Sequence, residues 1–229
     1  MPGIKFELER RFVPLENIEL RAASEGEEMI IEGRPVLYNR MTVLYADDEY
    51  ELREVILPGA ATEAMSAGEE VLLWNHASSM PMARRSNNTL EAIEDGLGVR
   101  IRADVSKTKW GRDGHEAIRN GVVDAMSFGF YLNGEGYKWE REKKDGKVID
   151  TRTISKFSRI VDYSPVTYPA YKDTDVAARS KELALRSRPS MDEPAAPDGD
   201  ERSMEIESTK AVIHTTLEEI EERTKRWKN

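Results

Sequence analysis

In the stretch VVDAMSFGF, Met126, Phe128 and Phe130 alternate with Ala125, Ser127 and Gly129. Read as a strand, this segment turns its large apolar side chains to one face and leaves a single hydroxyl among small neighbours on the other. A serine hydroxyl is a weak nucleophile at neutral pH unless a nearby base takes its proton and a third group orients that base. The chain has three histidines, His76, His115 and His214, and no cysteine. The chemistry open to it is therefore attack by an alcohol, with an imidazole as proton acceptor. A thiolate nucleophile, a disulfide and sulfur ligation of a metal are excluded. The histidines are too scattered to form a local metal signature, so neither metal nor cofactor is expected.

The histidines differ in their settings. His115 lies among charges in GRDGHEAIRNG and reads as a solvent-facing helix position; His214 follows a proline-rich stretch that gives it no fixed place. His76 ends the apolar run EEVLLWNH, where a strand passes into a loop and a scaffold can present a reactive group. The small face around Ser127 leaves room for an extended peptide to approach, with Gly129 removing a side chain where contact is tightest. The same residues also fit a plainer reading, a filler serine bonded to the backbone and a satisfied turn histidine. Arg84 and Arg85, after the histidine loop, are either helpers of a developing oxyanion or solvated loop cations.

The elements that must position these groups are mostly strands. KFELERRFV, NIELRAA, EEMIIEGRPVLYN, YELREVIL, EEVLLWNH and GLGVRIRADV are rich in β-branched or aromatic residues, with Gly, Asn and Asp between them. Short helices are expected at PGAATEAMSAG and KWGRDGHEAIRNG, each closed by a glycine. After the serine strand, Asp145 and Gly146 mark a hairpin.

The 229 residues suffice for one ordinary domain with an appendage, and 39% hydrophobic content suffices for one core. Residues 1–180 are expected to form the domain and 181–204 a disordered linker, because RSRPSMDEPAAPDGDERS has almost no large apolar residue to repay its ordering. Residues 205–229 read as a helical tail with Ile213, Leu217, Ile220 and Trp227 on one narrow face. A net charge of -9 argues against a nucleic-acid surface. No signal peptide or membrane-spanning run is found, so a cytoplasmic protein without a membrane partner is expected.

Several landmarks in order, EGRPVLYN, REVILPGAA, LLWNH, GLGVRIRADV, GRDGHEAIRNGVVDAMSFGF and VDYSPVTYPAY, span roughly Ile30 to Asp175. Together they resemble the tailed-phage prohead (capsid maturation) serine proteases, relatives of the herpesvirus assemblins. The resemblance implies an α+β, mainly β fold, an antiparallel β-barrel surrounded by a few helices, with a C-terminal tail. It implies a catalytic serine and histidine at Ser127 and His76, and an acidic third member at Asp162. It further implies a serine endopeptidase in the bacterial host cytoplasm, inside the procapsid. There it would remove the scaffolding segment of the major capsid protein and cut itself, with the linker from Arg186 to Ser203 as the site of self-cleavage. Self-association is implied by the assemblin relatives. The alternative from another class is a non-enzymatic capsid assembly or scaffolding protein; a third reading is a hydrolase of small esters.

Overall fold

The chain has thirteen strands, many of them rich in aromatic or β-branched residues, among the residues described by the computed structural model, 7–13, 21–25, 28–167 and 182–188. They pair in three sheets. The first holds, in spatial order, β1 (Glu9–Val13), β10 (Ala125–Tyr131), β13 (Arg159–Val166), β6 (Val71–Leu73) and β7 (Pro81–Arg84). The second runs β11 (Tyr137–Lys144), β12 (Lys147–Ile154), β5 (Tyr50–Ile56) and β4 (Thr42–Ala46), and the third β2 (Arg21–Glu25), β3 (Glu28–Leu37), β9 (Gly98–Asp104) and β8 (Leu90–Asp95). The fold is mainly β with few helices, as the sequence implies. The expected barrel is not closed: each sheet ends on two edge strands, so pairing among the described residues never returns on itself. Two junctions, β12 with β5 and β13 with β6, are parallel.

The expected hairpin joins β11 to β12, with Asp145 at φ 53° and Gly146 at φ 82°, the left-handed pair that a two-residue turn between twisted strands needs. The two helices form where the glycines predicted them. α1 (Thr62–Ser66) stops before Gly68 at φ 63°, and α2 (Lys109–Arg119) before Gly121 at φ 68°. Thr108 caps α2 by accepting from the Gly111 N–H at 2.9 Å.

His115 is not solvent-facing but 1% exposed. Gly111, Gly114, His115 and Ile118 share the inner face of α2, and the glycines let that face sit close. A methyl on Gly114 would lie 2.8 Å from Met82 Cε.

The core is continuous, with Phe128, Phe130 and Phe157 at its centre; their rings lie 4.9 to 5.6 Å apart. Beside it lies a buried charge network. Arg11 and Arg152 are both bonded to Glu9 and to Glu54. Arg11 also stacks over the Phe130 ring at 5.3 Å.

The described residues belong to one unit, residues 1–189; the other, 190–229, lies outside them, as does the predicted tail helix. Of the segment expected to be a linker, residues 182–188 are described. They carry a helical turn with Ala184 buried, Arg188 paired with Asp150 and Arg186 with Glu7. The remaining linker residues lie outside the description.

The network predicts an acid-sensitive stability. Burial alone would raise the Glu54 carboxyl, but the guanidinium groups of Arg11 and Arg152 outweigh it and pull the value down to about 2. A depressed carboxyl stabilises the fold fully above its unfolded value and loses that contribution as pH falls through the folded one. Glu54→Gln is therefore expected to cost about 3–5 kcal/mol at neutral pH, because it leaves two buried cations against one carboxylate. Thermal melts would read this as a fall in Tm on the order of 10 °C. The gap between variant and wild type should narrow as pH drops from about 4 towards 2.

Candidate active site

Ser127 sits in the middle of β10, and antiparallel pairing sets it directly opposite Ser164 of β13, with Gly129 opposite Asp162. Side chains of paired residues share a face, so one face carries Ser127, Ser164 and Asp162 while Met126, Phe128 and Phe130 enter the core on the other. The alternation read from the sequence is the one observed.

His76 arrives by a different route. β6 runs parallel to β13, with Val71 beside Asp162 and Leu72 beside Tyr163, so the chain leaving β6 travels alongside the second half of β13. It then turns back. Asn75 and His76 have φ of 50° and 59°, and the Ala77 N–H donates to the Trp74 carbonyl at 2.9 Å, a type I′ turn. Two non-glycine residues in the left-handed region cost on the order of 1 kcal/mol each, and Asn and His are among those that tolerate it best.

The turn is held from the β13 side. The Asn75 N–H donates to the Pro165 carbonyl at 3.1 Å; the Asn75 amide donates to Thr167 Oγ1 at 3.2 Å and accepts from the Thr167 N–H at 3.0 Å. The His76 N–H donates to Ser164 Oγ at 3.2 Å.

The imidazole thereby joins the other two groups. His76 Nδ1 is 2.6 Å from Asp162 Oδ2, and His76 Nε2 is 2.6 Å from Ser127 Oγ. A carboxylate accepts, so Nδ1 carries the hydrogen and Nε2 presents its lone pair to the hydroxyl. Asp162 Oδ2 also accepts from Ser164 Oγ at 2.7 Å. Ser127 is 0% exposed and Asp162 2%, while the His76 side chain is 6% exposed. Burial strengthens each of these hydrogen bonds by removing competing water.

The structure thus brings together all three residues singled out in the sequence. Two expectations about their surroundings do not hold. Ser127 does not line an open groove, and the space at Gly129 is not left for a peptide. A methyl there would lie 2.4 Å from Asp162 Oδ1, so the glycine makes room for the carboxylate. Arg84 ends β7, three strands from β10, or roughly 14 Å at the usual spacing. Arg85 is bound to Glu70 and to the Met65 carbonyl. Neither arginine is brought to Ser127.

Ser164 and Asn75 were not singled out. The spacing of Asp162 and Ser164, two residues apart on one strand face, was the signal for the first; the tolerance of asparagine for left-handed backbone was the signal for the second.

A hydroxyl, imidazole and carboxylate joined in this order on a mainly β scaffold have the geometry of a serine hydrolase. The model of the caudovirus prohead serine proteases matches residues 16–188, and the chain belongs to that family of phage capsid-maturation proteases. Among solved structures, the chain is similar to the capsid assembly protease of bacteriophage T4. The two share 14% identity with a TM-score of 0.40, over 72% of this chain and 98% of the other. No curated protein sequence matches it.

Two substitutions test the supports. Gly129→Ala should displace the Asp162 carboxylate and lower kcat about 100-fold with little change in KM, since the defect lies in orientation rather than substrate binding. Ser164→Ala leaves the His76 N–H without its acceptor. It is expected to cost about 1–3 kcal/mol of stability in denaturant melts, and to lower kcat by less than Gly129→Ala.

Proposed function

We propose that the protein is the serine endopeptidase that removes the scaffolding segment from the major capsid protein inside the procapsid, in the cytoplasm of a bacterial host, and that it also cuts itself. Family membership supports the class of reaction. The observation that carries the residue assignment is the unbroken pair of 2.6 Å contacts from Asp162 through His76 to Ser127.

In this reading, Ser127 Oγ attacks the scissile carbonyl carbon as His76 Nε2 takes its proton. The carbonyl oxygen becomes an oxyanion, and its return to a carbonyl expels the leaving amine, protonated by His76. The acyl-enzyme is then hydrolysed by a water that His76 deprotonates. Asp162 holds the Nδ1–H tautomer and stabilises the imidazolium formed in each half-reaction. A non-enzymatic assembly role gives no reason to bury a hydroxyl, an imidazole and a carboxylate in this order.

Coexpression with the cognate capsid protein tests the assignment. Wild type should yield shortened capsid protein, while Ser127→Ala and His76→Ala should leave it at full length, a loss of about 10⁶-fold in rate that gels register as none. Intact masses of the protease from the same cells should show loss of the residues beyond the Arg186–Ser203 stretch in wild type only. Full processing by Ser127→Ala would overturn the assignment.

A further inference from the structure

A nucleophile with 0% exposure cannot meet a peptide bond until something moves. Three described elements adjoin it: β13, the His76 turn and β1. Neither β13 nor the turn can swing away without breaking the contacts that join Asp162, His76 and Ser127, the turn being bonded to Pro165, Thr167 and Ser164. Detaching β1 breaks its ladder to β10 and its ion pairs to the body but leaves those contacts intact.

β1 is the edge strand of its sheet and pairs antiparallel with β10, with Phe12 directly opposite Ser127. The Phe12 ring meets the His76 imidazole edge-on, 6.2 Å between centroids. Leu8 lies over Gly129, where a methyl would come within 3.4 Å of Leu8 Cδ1. Among the described residues no further strand pairs with the outer edge of β1, and a cavity bordering it is lined by Arg11 and Phe12 together with Glu54, Ile56 and Phe128. β1 also precedes residue 16, where the match to the family begins.

The anchor of β1 is built so that it can be released. Its Glu9 and Arg11 are paired with each other at 2.6 Å, and the body's Arg152 Nε is bonded to Glu54 at 2.9 Å, while across the two halves Arg11 bonds Glu54 at 2.6 Å and Arg152 bonds Glu9 at 2.7 Å. Detaching β1 breaks those cross bonds, but each half keeps one charge of each sign paired within it, so no lone buried charge is left behind. Glu7, just before β1, is paired with Arg186, 2.8 Å apart.

We propose that β1 is an intrachain gate: it seals Ser127 in the resting protein and must detach from β10 before a peptide can reach the nucleophile. The detached state exposes the β10 edge, onto which an extended chain can add. This inference rests on the reading of Ser127 as nucleophile.

The test uses the full chain and an alkyl fluorophosphonate, which forms a bond from Ser127 Oγ to phosphorus with loss of fluoride and needs no peptide groove. Labelling is followed by mass spectrometry in wild type, in Phe12→Ala, and in Glu9→Gln with Arg11→Gln, which loosens the strand but leaves Glu54 and Arg152 paired. Hydrogen exchange is measured on β1 and β13 in each. The gate predicts labelling of the anchor variant at least about tenfold faster than wild type, in step with faster exchange in β1 and unchanged protection in β13.

Equal labelling rates in wild type and anchor variant overturn the gate and leave the assignment of Ser127 standing. Acceleration in Phe12→Ala alone also overturns it, since the ring would then be the whole barrier. If the anchor variant does not fold, wild type decides: labelling faster than the opening of β1 seen by exchange overturns the gate, and labelling limited by that opening supports it. Absence of Ser127 labelling in every variant, with β1 shown to open, overturns the nucleophile assignment and the gate with it.

Discussion

Sliding β10 by one residue against β13 would turn every side chain of the strand to the other face. Ser127 would enter the core and Phe128 would meet Asp162. What prevents the slip is the aromatic layer: Phe128 and Phe130 are buried against Phe157, each worth about 1.5–3 kcal/mol relative to exposure. The register of β10 and the grouping of Ser127 with Asp162 and His76 are therefore settled together by packing on the opposite face. A register shift between Gly129 and Phe130 then lets the two strands keep pairing while Asp162 stays under the glycine. Irregularities of this kind commonly re-aim side chains beside active sites.

The polar groups are affordable only because each has its partners. A buried carboxylate without hydrogen bonds costs several kcal/mol, about what removes much of a domain's stability. Asp162 receives hydrogen bonds from His76 and Ser164, and Ser164 in turn accepts from the His76 backbone. The triangle is closed within one strand and one turn. On the opposite face of the same sheet, the Glu9, Arg11, Glu54 and Arg152 network follows the same rule, with two charges of each sign. The Ser127 strand thus lies between two satisfied polar systems, with an aromatic layer on the network side.

Much of this was legible because the signals were local. Alternation marked the strand at Ser127 and most of the long strands, and glycines marked both helix ends. β4, β7 and β8 carried weaker signals: β4 buries no residue fully, and β7 is four residues beginning with proline. His115 misled because its charged neighbours in sequence point outward while Gly111 and Gly114 turn its own face inward, a pattern that charge counting misses. The role of Gly129 depends on which residue of β13 lies opposite, and register between distant strands is not written in either segment alone. Closure of a barrel is likewise a property of all the pairings at once.

The presentation of His76 from a turn rather than a strand follows from geometry. Side chains on a strand stand perpendicular to the sheet, and continuing β6 in extended form would carry the imidazole past Asp162 along β13. Folding back through Asn75 and His76 brings the ring over the two central strands, at the cost of left-handed backbone in both residues. That cost is offset where it is incurred, since the bonds securing the turn go to Ser164, Pro165 and Thr167. These belong to β13 or directly follow it, and β13 also carries Asp162. His76 and Asp162 are therefore referenced to one strand, so a small displacement of β13 moves them together and preserves the Nδ1 contact. The remaining degree of freedom is the spacing of β13 from β10, which the aromatic layer fixes.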